Sequence, residues 1–286
     1  MLTFVVALHC EAKPIIDFYK LKKVDVKPFD LYSGASKGGV DIELVVTGIG
    51  ALSAASAVAW LAGFGQNALS SQRVWLNVGT AGHAEHDIGQ VMLVHGVGDE
   101  VQQRSHYPPQ VAKWASVTES VLSVSVPTSN YPLGAAVDME AYAFFNTAIR
   151  FSDSELVQSI KVVSDNEEMG VEHLNAKKLT EYVQMNIDAI TAFAQSLVAI
   201  VAMQSKSLQF GLDAFDLNVL DNFNGTHSQR LQARELLSKI SVLVNCSSNG
   251  QQTLSELNES FKCVSRLKDA LPLLRNTLDS MTPSLA

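Results

Sequence analysis

The chain has 286 residues, 47% of them hydrophobic, so it is long enough to bury the core of one large domain or of two. Its 21 basic and 29 acidic residues give a net charge of −8, and all of the acidic excess lies before Ser205. Such an acidic surface argues against nucleic acid and anionic membranes as main partners. Three scattered cysteines are too few for a disulfide framework or a zinc site, and they indicate a reducing, cytoplasmic setting.

Apolar runs alternate with helical stretches along the first part of the chain. The opening run at residues 2–8 has no basic lead-in, so it predicts a strand rather than a signal peptide, and no run reaches the length of a bilayer span. An alanine-rich helix is predicted at 51–64. Further strands are predicted at 42–46, 74–78, 89–97, 121–126, 135–137 and 159–163. This alternation is typical of an α/β fold, here a central mixed sheet flanked by helices.

The apolar period becomes helical from about residue 175, which predicts one long helix at the end of the α/β domain. Its stripe comprises Leu179, Val183, Ile187, Ile190, Phe193, Leu197 and Ile200. Beyond Ser205 there is no strand pattern, and the tetrapeptides that begin at Thr226 and Thr253 look like helix capping boxes. We therefore predict an α/β domain at 1–204 and a helical extension at 205–286 whose role the sequence leaves open.

The segment at residues 135–143 (AAVDMEAYA) has the pattern of a buried strand that breaks directly into a helix. Two carboxylates, Asp138 and Glu140, are costly to bury at such a junction, which points to a functional site. The alternative is that Asp138 caps the helix and Glu140 lies in its first turn. Taken alone, the motif favours this second interpretation.

Three other stretches fit the same site: ALHCEA at 7–12, NVGTAG at 77–82 and VVSDN at 162–166. With VDMEA at 137–141 they resemble, in order and separation, the nucleoside phosphorylase/nucleosidase superfamily. The closest branch is that of the methylthioadenosine/S-adenosylhomocysteine nucleosidases. The resemblance covers roughly the first two-thirds of the chain, and VDMEA is its most specific part.

The resemblance implies cleavage of the N-glycosidic bond of a purine nucleoside, without a cofactor or a metal. Asp165, preceded by Ser164, would donate a proton towards purine N7, and Glu11, expected at the C-terminal end of the first strand, would activate water. Carboxylates suit such chemistry because its transition state is oxocarbenium-like. Considered singly, Asp165 could cap a turn and Glu11 could be a solvated residue that opens the next segment.

The resemblance also implies residues that bind the sugar. Glu140 would accept hydrogen bonds from two ribose hydroxyls, Met139 would pack against the sugar, and Thr80 would face the water or the sugar. Asp138 takes the place of the more usual glutamate, and Lys161 that of an arginine. Thr80 alone would indicate no more than a tight turn.

The choice of acceptor depends on arginine, because a phosphate site requires fixed guanidinium groups. No arginine precedes Arg73, so the early arginine of the phosphorylases is missing, whereas the nucleosidase-like Glu11 is present. Water is therefore the favoured acceptor. Arg104 keeps phosphorolysis open, and a catalytically silent nucleoside-binding protein is the other alternative.

Several further patterns carry weaker signals. Tyr131 could stack on a purine, whereas core packing is favoured for Phe145. The glycine pair of Gly48-Ile49-Gly50 is a poor dinucleotide fingerprint and predicts a strand-to-helix link. A cluster of polar residues is predicted to form a loop rather than a metal site; it comprises His83, His86, Asp87 and His95. The resemblance implies a homo-oligomer, with a dimer expected, in which a neighbour completes the pocket.

Overall fold

The structure of the protein, a computed structural model, describes residues 1–64, 73–212, 223–246 and 249–281. The chain divides into two compact units, Met1–Val201 and Ala202–Ala286. The first unit is the α/β unit, and the described helices of the second pack around an apolar core of their own.

One mixed sheet organises the first unit, and within the described residues it has ten strands. They are β1 (Leu2–Val6), β2 (Lys22–Val24), β3 (Asp30–Ala35), β4 (Asp41–Val46), β5 (Val74–Gly82), β6 (Val91–Asp99), β7 (Arg104–His106), β8 (Val117–Ser123), β9 (Ala135–Asp138) and β10 (Val157–Asp165). Their order is β2-β3-β4-β1-β5-β9-β8-β6-β10, and β7 pairs with β6. Because β10 also pairs with β5, the strands β5, β9, β8, β6 and β10 form a closed ring.

Helices cover both faces of this sheet, as the sequence predicts. They are α1 (His9–Tyr19), α2 (Ala51–Phe64), α3 (Ala141–Ala148), α4 (Ala176–Met185) and α5 (Ile187–Leu212). One apolar core lies between the sheet and the helices α1, α4 and α5, and a second lies between the sheet and the helices α2 and α3. The predicted sheet flanked by helices is therefore confirmed.

Individual strands differ from the sequence prediction in extent. The strand predicted at 89–97 is Val91–Asp99, and the one predicted at 121–126 is Val117–Ser123. The strands β2 and β7 were not predicted because they are short and largely exposed. The strand β3 was not predicted because only Leu31 and Tyr32 are buried in it, so it carries no continuous apolar run.

The single helix predicted from residue 175 is two helices, α4 and α5, that meet at Asn186 with a bend of 58°. Asn186 ends α4 and its side-chain amide donates to the carbonyl oxygens of Gly89 and Tyr182. The apolar stripe continues across the break because both helices pack on the same core. Among the described residues no single helix is long and apolar enough to span a membrane; only this bent pair reaches that length and composition jointly.

The second unit contains α6 (His227–Cys246), α7 (Gly250–Lys262) and α8 (Leu267–Met281). The capping box at Thr226 is confirmed, since its amide donates to the Gln229 side chain and its hydroxyl accepts from the Gln229 amide. The capping box predicted at Thr253 is wrong. Helix α7 begins at Gly250, so Thr253 lies inside the helix rather than at its cap. Its hydroxyl donates to the carbonyl oxygen of Asn249, the residue before the helix.

Candidate active site

The site lies at the carboxyl edge of the parallel strands β1, β5 and β10. Polar groups that follow parallel strands meet at this edge, where α/β folds place their ligand crevices. A cavity of about 210 Å³ opens there. All seven residues that the sequence singled out contribute to its lining: Glu11, Thr80, Asp138, Met139, Glu140, Ser164 and Asp165.

Glu11 is buried, but its local structure differs from the prediction. It lies in the first turn of α1 rather than at the end of β1, and Thr80 lies on β5 rather than in a turn. Oε1 of Glu11 accepts from the Thr80 amide at 2.8 Å and from the Thr80 hydroxyl at 2.7 Å, while Oε2 accepts from the Leu8 amide at 3.1 Å. Burial raises the pKa of Glu11 even though the Thr80 hydrogen bonds and Lys161 favour its charged form. These hydrogen bonds hold the carboxyl group of Glu11 in one orientation against β5.

His9 and Cys10 belong to the first turn of α1. The Nε2 atom of His9 lies 3.0 Å from the Tyr32 hydroxyl, within hydrogen-bonding distance. Neither residue lines the cavity.

Asp138 joins the strand β9 to the start of α3. Its Oδ1 accepts from the Ser123 hydroxyl at 2.6 Å, and its Oδ2 accepts from the Ala141 amide at 2.8 Å. The helix-capping interpretation of Asp138 thus describes one of its contacts. Oδ2 also lies 2.7 Å from Nζ of Lys161. With both oxygens engaged by the protein, Asp138 acts on the cavity by fixing its neighbours.

Lys161 is a buried cation among acids, only 1% exposed. Burial alone would lower its pKa, but the negative charges of Asp138, Glu140 and Glu11 raise it above its ordinary value, so the amine stays charged. A Cβ on Gly79 would lie 3.4 Å from Nζ and 3.5 Å from Oε1 of Glu11, so a glycine lets this charge approach the backbone of β5.

Glu140 directly precedes α3, and its Oε1 accepts from the Gly50 amide at 2.7 Å. Burial and the neighbouring charge of Asp138 raise the pKa of Glu140 to about 7. The Gly50 contact was missed from the sequence, where Gly48-Ile49-Gly50 indicates only a strand-to-helix link. Positive φ values of 83° at Gly48 and 98° at Gly50 turn this amide towards the carboxylate, and Ile49 lines the cavity.

Asp165 ends β10, just after a register shift against β5 between Val163 and Asp165. Both of its oxygens accept hydrogen bonds: Oδ1 from the Ser164 hydroxyl, and Oδ2 from the Tyr131 hydroxyl at 2.7 Å. Tyr131, which the sequence offered as a stacking residue, therefore reaches the site as a hydrogen-bond donor. Phe145 lies in the apolar core between the sheet and α3, as expected.

Apolar side chains complete the cavity. Leu8, Val171 and Leu174 line it together with Met139 and Ile49. Ile49 is 56% exposed even though it faces a cavity. Among the described residues no arginine or lysine lines this cavity, and Arg104 lies exposed on β7, away from it.

A second polar cluster brings His83 and His86 together with Glu119, whose Oε2 lies 3.6 Å and 3.4 Å from the two Nε2 atoms. The Nδ1 atom of His83 accepts from the amides of Glu85 and His86, and burial lowers the pKa of His83. The neutral ring therefore carries its proton on Nε2, which a metal ion would have to displace. His95 lies outside this cluster, with its Nε2 atom 3.2 Å from the Ser120 hydroxyl. We assign no metal to this cluster.

Comparison of the whole structure with solved structures gives one consistent result. The chain is similar to the 5′-methylthioadenosine/S-adenosylhomocysteine nucleosidase of S. pneumoniae, with a TM-score of 0.56 and 16% identity over 68% of this chain and 99% of that one. The chain has the nucleoside phosphorylase/nucleosidase fold. The nucleosidase of Neisseria meningitidis shares this fold at a TM-score of 0.55 and 18% identity, over 68% of this chain and 98% of that one.

A third structure with this fold is a futalosine hydrolase mutant of Helicobacter pylori, with a TM-score of 0.51 and 11% identity over 68% of this chain and 98% of that one. No protein-family model and no curated protein matches the sequence. The structures from S. pneumoniae and Neisseria meningitidis contain MT-ImmA, named as a transition-state inhibitor, and methylthio-immucillin-A, respectively.

Proposed function

We propose that this protein is a hydrolase that cleaves the N-glycosidic bond of a purine nucleoside and releases the free base. The observation that carries this proposal is the meeting of Glu11, Glu140 and Asp165 at one cavity, although 154 positions separate the first from the last along the chain. Structural neighbours named as nucleosidases support the assignment of the substrate as 5′-methylthioadenosine or a similar nucleoside.

The three acids divide the reaction among them. Asp165 delivers a proton to the leaving base, which lowers the barrier to departure. Glu140 keeps Oε2 available for the ribose hydroxyls, because the Gly50 amide binds only Oε1. Glu11 takes the proton of the attacking water, with Thr80 holding its Oε1 in place. Met139 packs against the sugar, and the buried acids favour the positive charge that develops on it.

Water is the favoured acceptor of the sugar. A phosphate ion would require fixed cationic donors, and none of the described residues that line the cavity is an arginine or a lysine. The cation nearest to the acids, Lys161, is already paired with Asp138. The first alternative is a phosphorylase, and the second is a protein that binds the nucleoside without turnover.

Incubation with 5′-methylthioadenosine, with and without phosphate, tests the proposal directly. We expect free adenine in both buffers, and a loss of roughly 10²–10⁴-fold in Asp165→Asn, because general acid catalysis contributes that much. Asp17→Asn, on the exposed face of α1, is the matched control. Release only with phosphate would identify a phosphorylase. Tight nucleoside binding without release, unchanged in Asp165→Asn, would identify a binding protein.

We further propose that the protein acts in the cytoplasm as a homodimer whose partner covers the mouth of the cavity. Ile49 and Val171 support this assembly, because both line the cavity and both are exposed in the single chain. Sedimentation of the purified protein tests the dimer. Ile49→Asp should shift the distribution towards monomer, whereas the exposed control Met185→Asp should leave it unchanged.

Residues 1–204 are proposed to carry the reaction, with 205–286 as an accessory extension. All the residues assigned to chemistry lie in the first unit, and the second has an apolar core of its own. A chain that ends at Leu212 should retain base release. Loss of activity in a truncated chain that remains folded by circular dichroism would assign the extension a part in the reaction.

A further inference from the structure

One side chain ties the segment between β8 and β9 to the cavity. This segment, residues 125–134, is here called the Tyr131 loop. Tyr131 is 5% exposed, whereas the other residues of the loop are exposed or only partly buried. Among the described residues, Tyr131 also makes the only side-chain hydrogen bond that leaves the loop, to Asp165. The loop therefore depends on Tyr131 for its position.

The Tyr131 ring lies tightly in place beside Asp165. It packs with Val124 and Val137, and a Cβ on Gly82 would overlap its Cε1 atom. The same Cβ would lie 2.6 Å from Oδ2 of Asp165, the oxygen that accepts the Tyr131 hydrogen bond. The phenol thus fills the space immediately in front of the carboxyl group.

Both oxygens of Asp165 are occupied by hydrogen bonds from hydroxyl groups of the protein. Burial and the Asp165 charge raise the pKa of Tyr131, so its hydroxyl stays protonated and donates. Asp165 then serves as an acceptor at both oxygens, since the Ser164 hydroxyl donates to the other one. A general acid needs the opposite arrangement, with its own proton directed at an acceptor nitrogen of the base.

The available volume leads to the same conclusion. The cavity measures about 210 Å³, and Tyr131 and Asp165 both form part of its wall. Small-molecule sites generally occupy about 300–1,000 Å³. Withdrawal of the phenol would enlarge the cavity at the end where the base has to meet Asp165.

We propose that Tyr131 gates the base end of the cavity: its phenol occupies the position that a purine takes against Asp165, and it must swing out with the Tyr131 loop before the base can bind. This inference rests on the proposed nucleosidase function and adds a residue that controls access and affinity. Tyr131 acts through Asp165 and the loop rather than on the reacting atoms.

Adenine binding measured by calorimetry tests the gate, with Tyr131→Phe and Tyr131→Ala compared with the wild type. Tyr131→Phe keeps the ring and removes the hydrogen bond that must break, so we expect adenine to bind about tenfold more tightly, as for the loss of a hydrogen bond to a charged group. Tyr131→Ala also removes the ring and should bind adenine at least as tightly. Tyr107→Phe, at a tyrosine that is 74% exposed, should leave the affinity within about twofold of the wild type.

The direction of the change in adenine affinity distinguishes a gate from a binding residue: loss of a gate raises the affinity, and loss of a binding residue lowers it. If the wild type releases adenine from 5′-methylthioadenosine but both variants bind adenine with equal or lower affinity, the gate is overturned and the nucleosidase function stands. If no form of the protein binds adenine or releases it, the proposed function fails and the gate fails with it. Should the alanine variant not fold, the phenylalanine variant decides alone.

Discussion

The Nζ atom of Lys161 lies 2.7 Å from Oδ2 of Asp138, and both side chains are buried. Replacing Lys161 with methionine would leave a buried carboxylate without its counter-charge. Breaking such a pair costs about 3–5 kcal/mol. We expect Lys161→Met to lower the free energy of unfolding by that amount in urea denaturation.

The control for this change is Lys13→Met, because the ion pair of Lys13 with Asp17 is exposed on both sides. Exposed pairs contribute at most about 1 kcal/mol. Equal losses in the two variants would show that Lys161 does not compensate the buried acids.

A second prediction concerns Glu11. Glu11→Gln keeps the length of the side chain and an oxygen that can accept from Thr80, but an amide cannot take the proton of water. We expect kcat to fall by roughly 10²–10⁴-fold with KM little changed, as for the loss of a general base. Steady-state release of adenine measures both constants. Glu181→Gln, exposed on α4, is the control, and an unaffected kcat in Glu11→Gln would exclude Glu11 as the base.

The pKa of Glu140 predicts a pH dependence of stability. Its pKa in the folded protein, about 7, exceeds its ordinary value of 4.5, so the folded state binds this proton more tightly than the unfolded chain does. The stability that results is fully present below pH 4.5 and is lost as the pH rises through 7. A pKa shift of this size corresponds to about 3 kcal/mol in the free energy of unfolding.

Denaturation of the wild type and of Glu140→Gln at pH 4.5 and pH 8.5 measures this contribution. The free energy of unfolding of the wild type should fall by about 3 kcal/mol more than that of Glu140→Gln across this range. Glu181→Gln should follow the wild type. Parallel pH curves for the wild type and Glu140→Gln would contradict the prediction.

A fourth prediction compares two glycines. Gly82→Ala would place a methyl group onto the Tyr131 ring and 2.6 Å from Asp165, and overpacking of this kind costs about 1–3 kcal/mol. Gly63→Ala places its methyl group in open space on α2 and should gain up to about 1 kcal/mol. Thermal unfolding should therefore move in opposite directions in the two variants. A stabilised Gly82→Ala protein would contradict the packing described for Tyr131.

Residues within a short motif could be predicted from the sequence, because neighbours along the chain fix them. Glu140 follows a buried strand within VDMEA, and Asp165 ends an apolar run, so their positions at the sheet edge follow from the pattern. Glu11 was placed on the wrong element. Helix α1 contains Pro14, a residue that usually interrupts helices, so its helical signal was weak.

Contacts between distant parts of the chain could not be predicted in the same way. The Gly50 amide and Glu140 are 90 positions apart, and the Tyr131 hydroxyl and Asp165 are 34 apart. Each contact depends on a backbone turn or a ring orientation that no periodicity encodes. The break at Asn186 was missed for a related reason. An apolar stripe indicates which residues are buried, and it continues across a bend when both helices pack on one core.

The register shift beside Ser164 makes the direction of the Asp165 side chain depend on the number of residues in β10 as well as on their identity. Successive strand side chains alternate in direction, and β10 is held between β5 and β6 as part of a closed ring, so it cannot slide to absorb a change in length. Deletion of one residue in the regular part of β10 would turn the carboxyl group of Asp165 away from the cavity while leaving every acid in the sequence. We therefore expect a change of one residue in the length of this strand to abolish the proposed activity more readily than many substitutions.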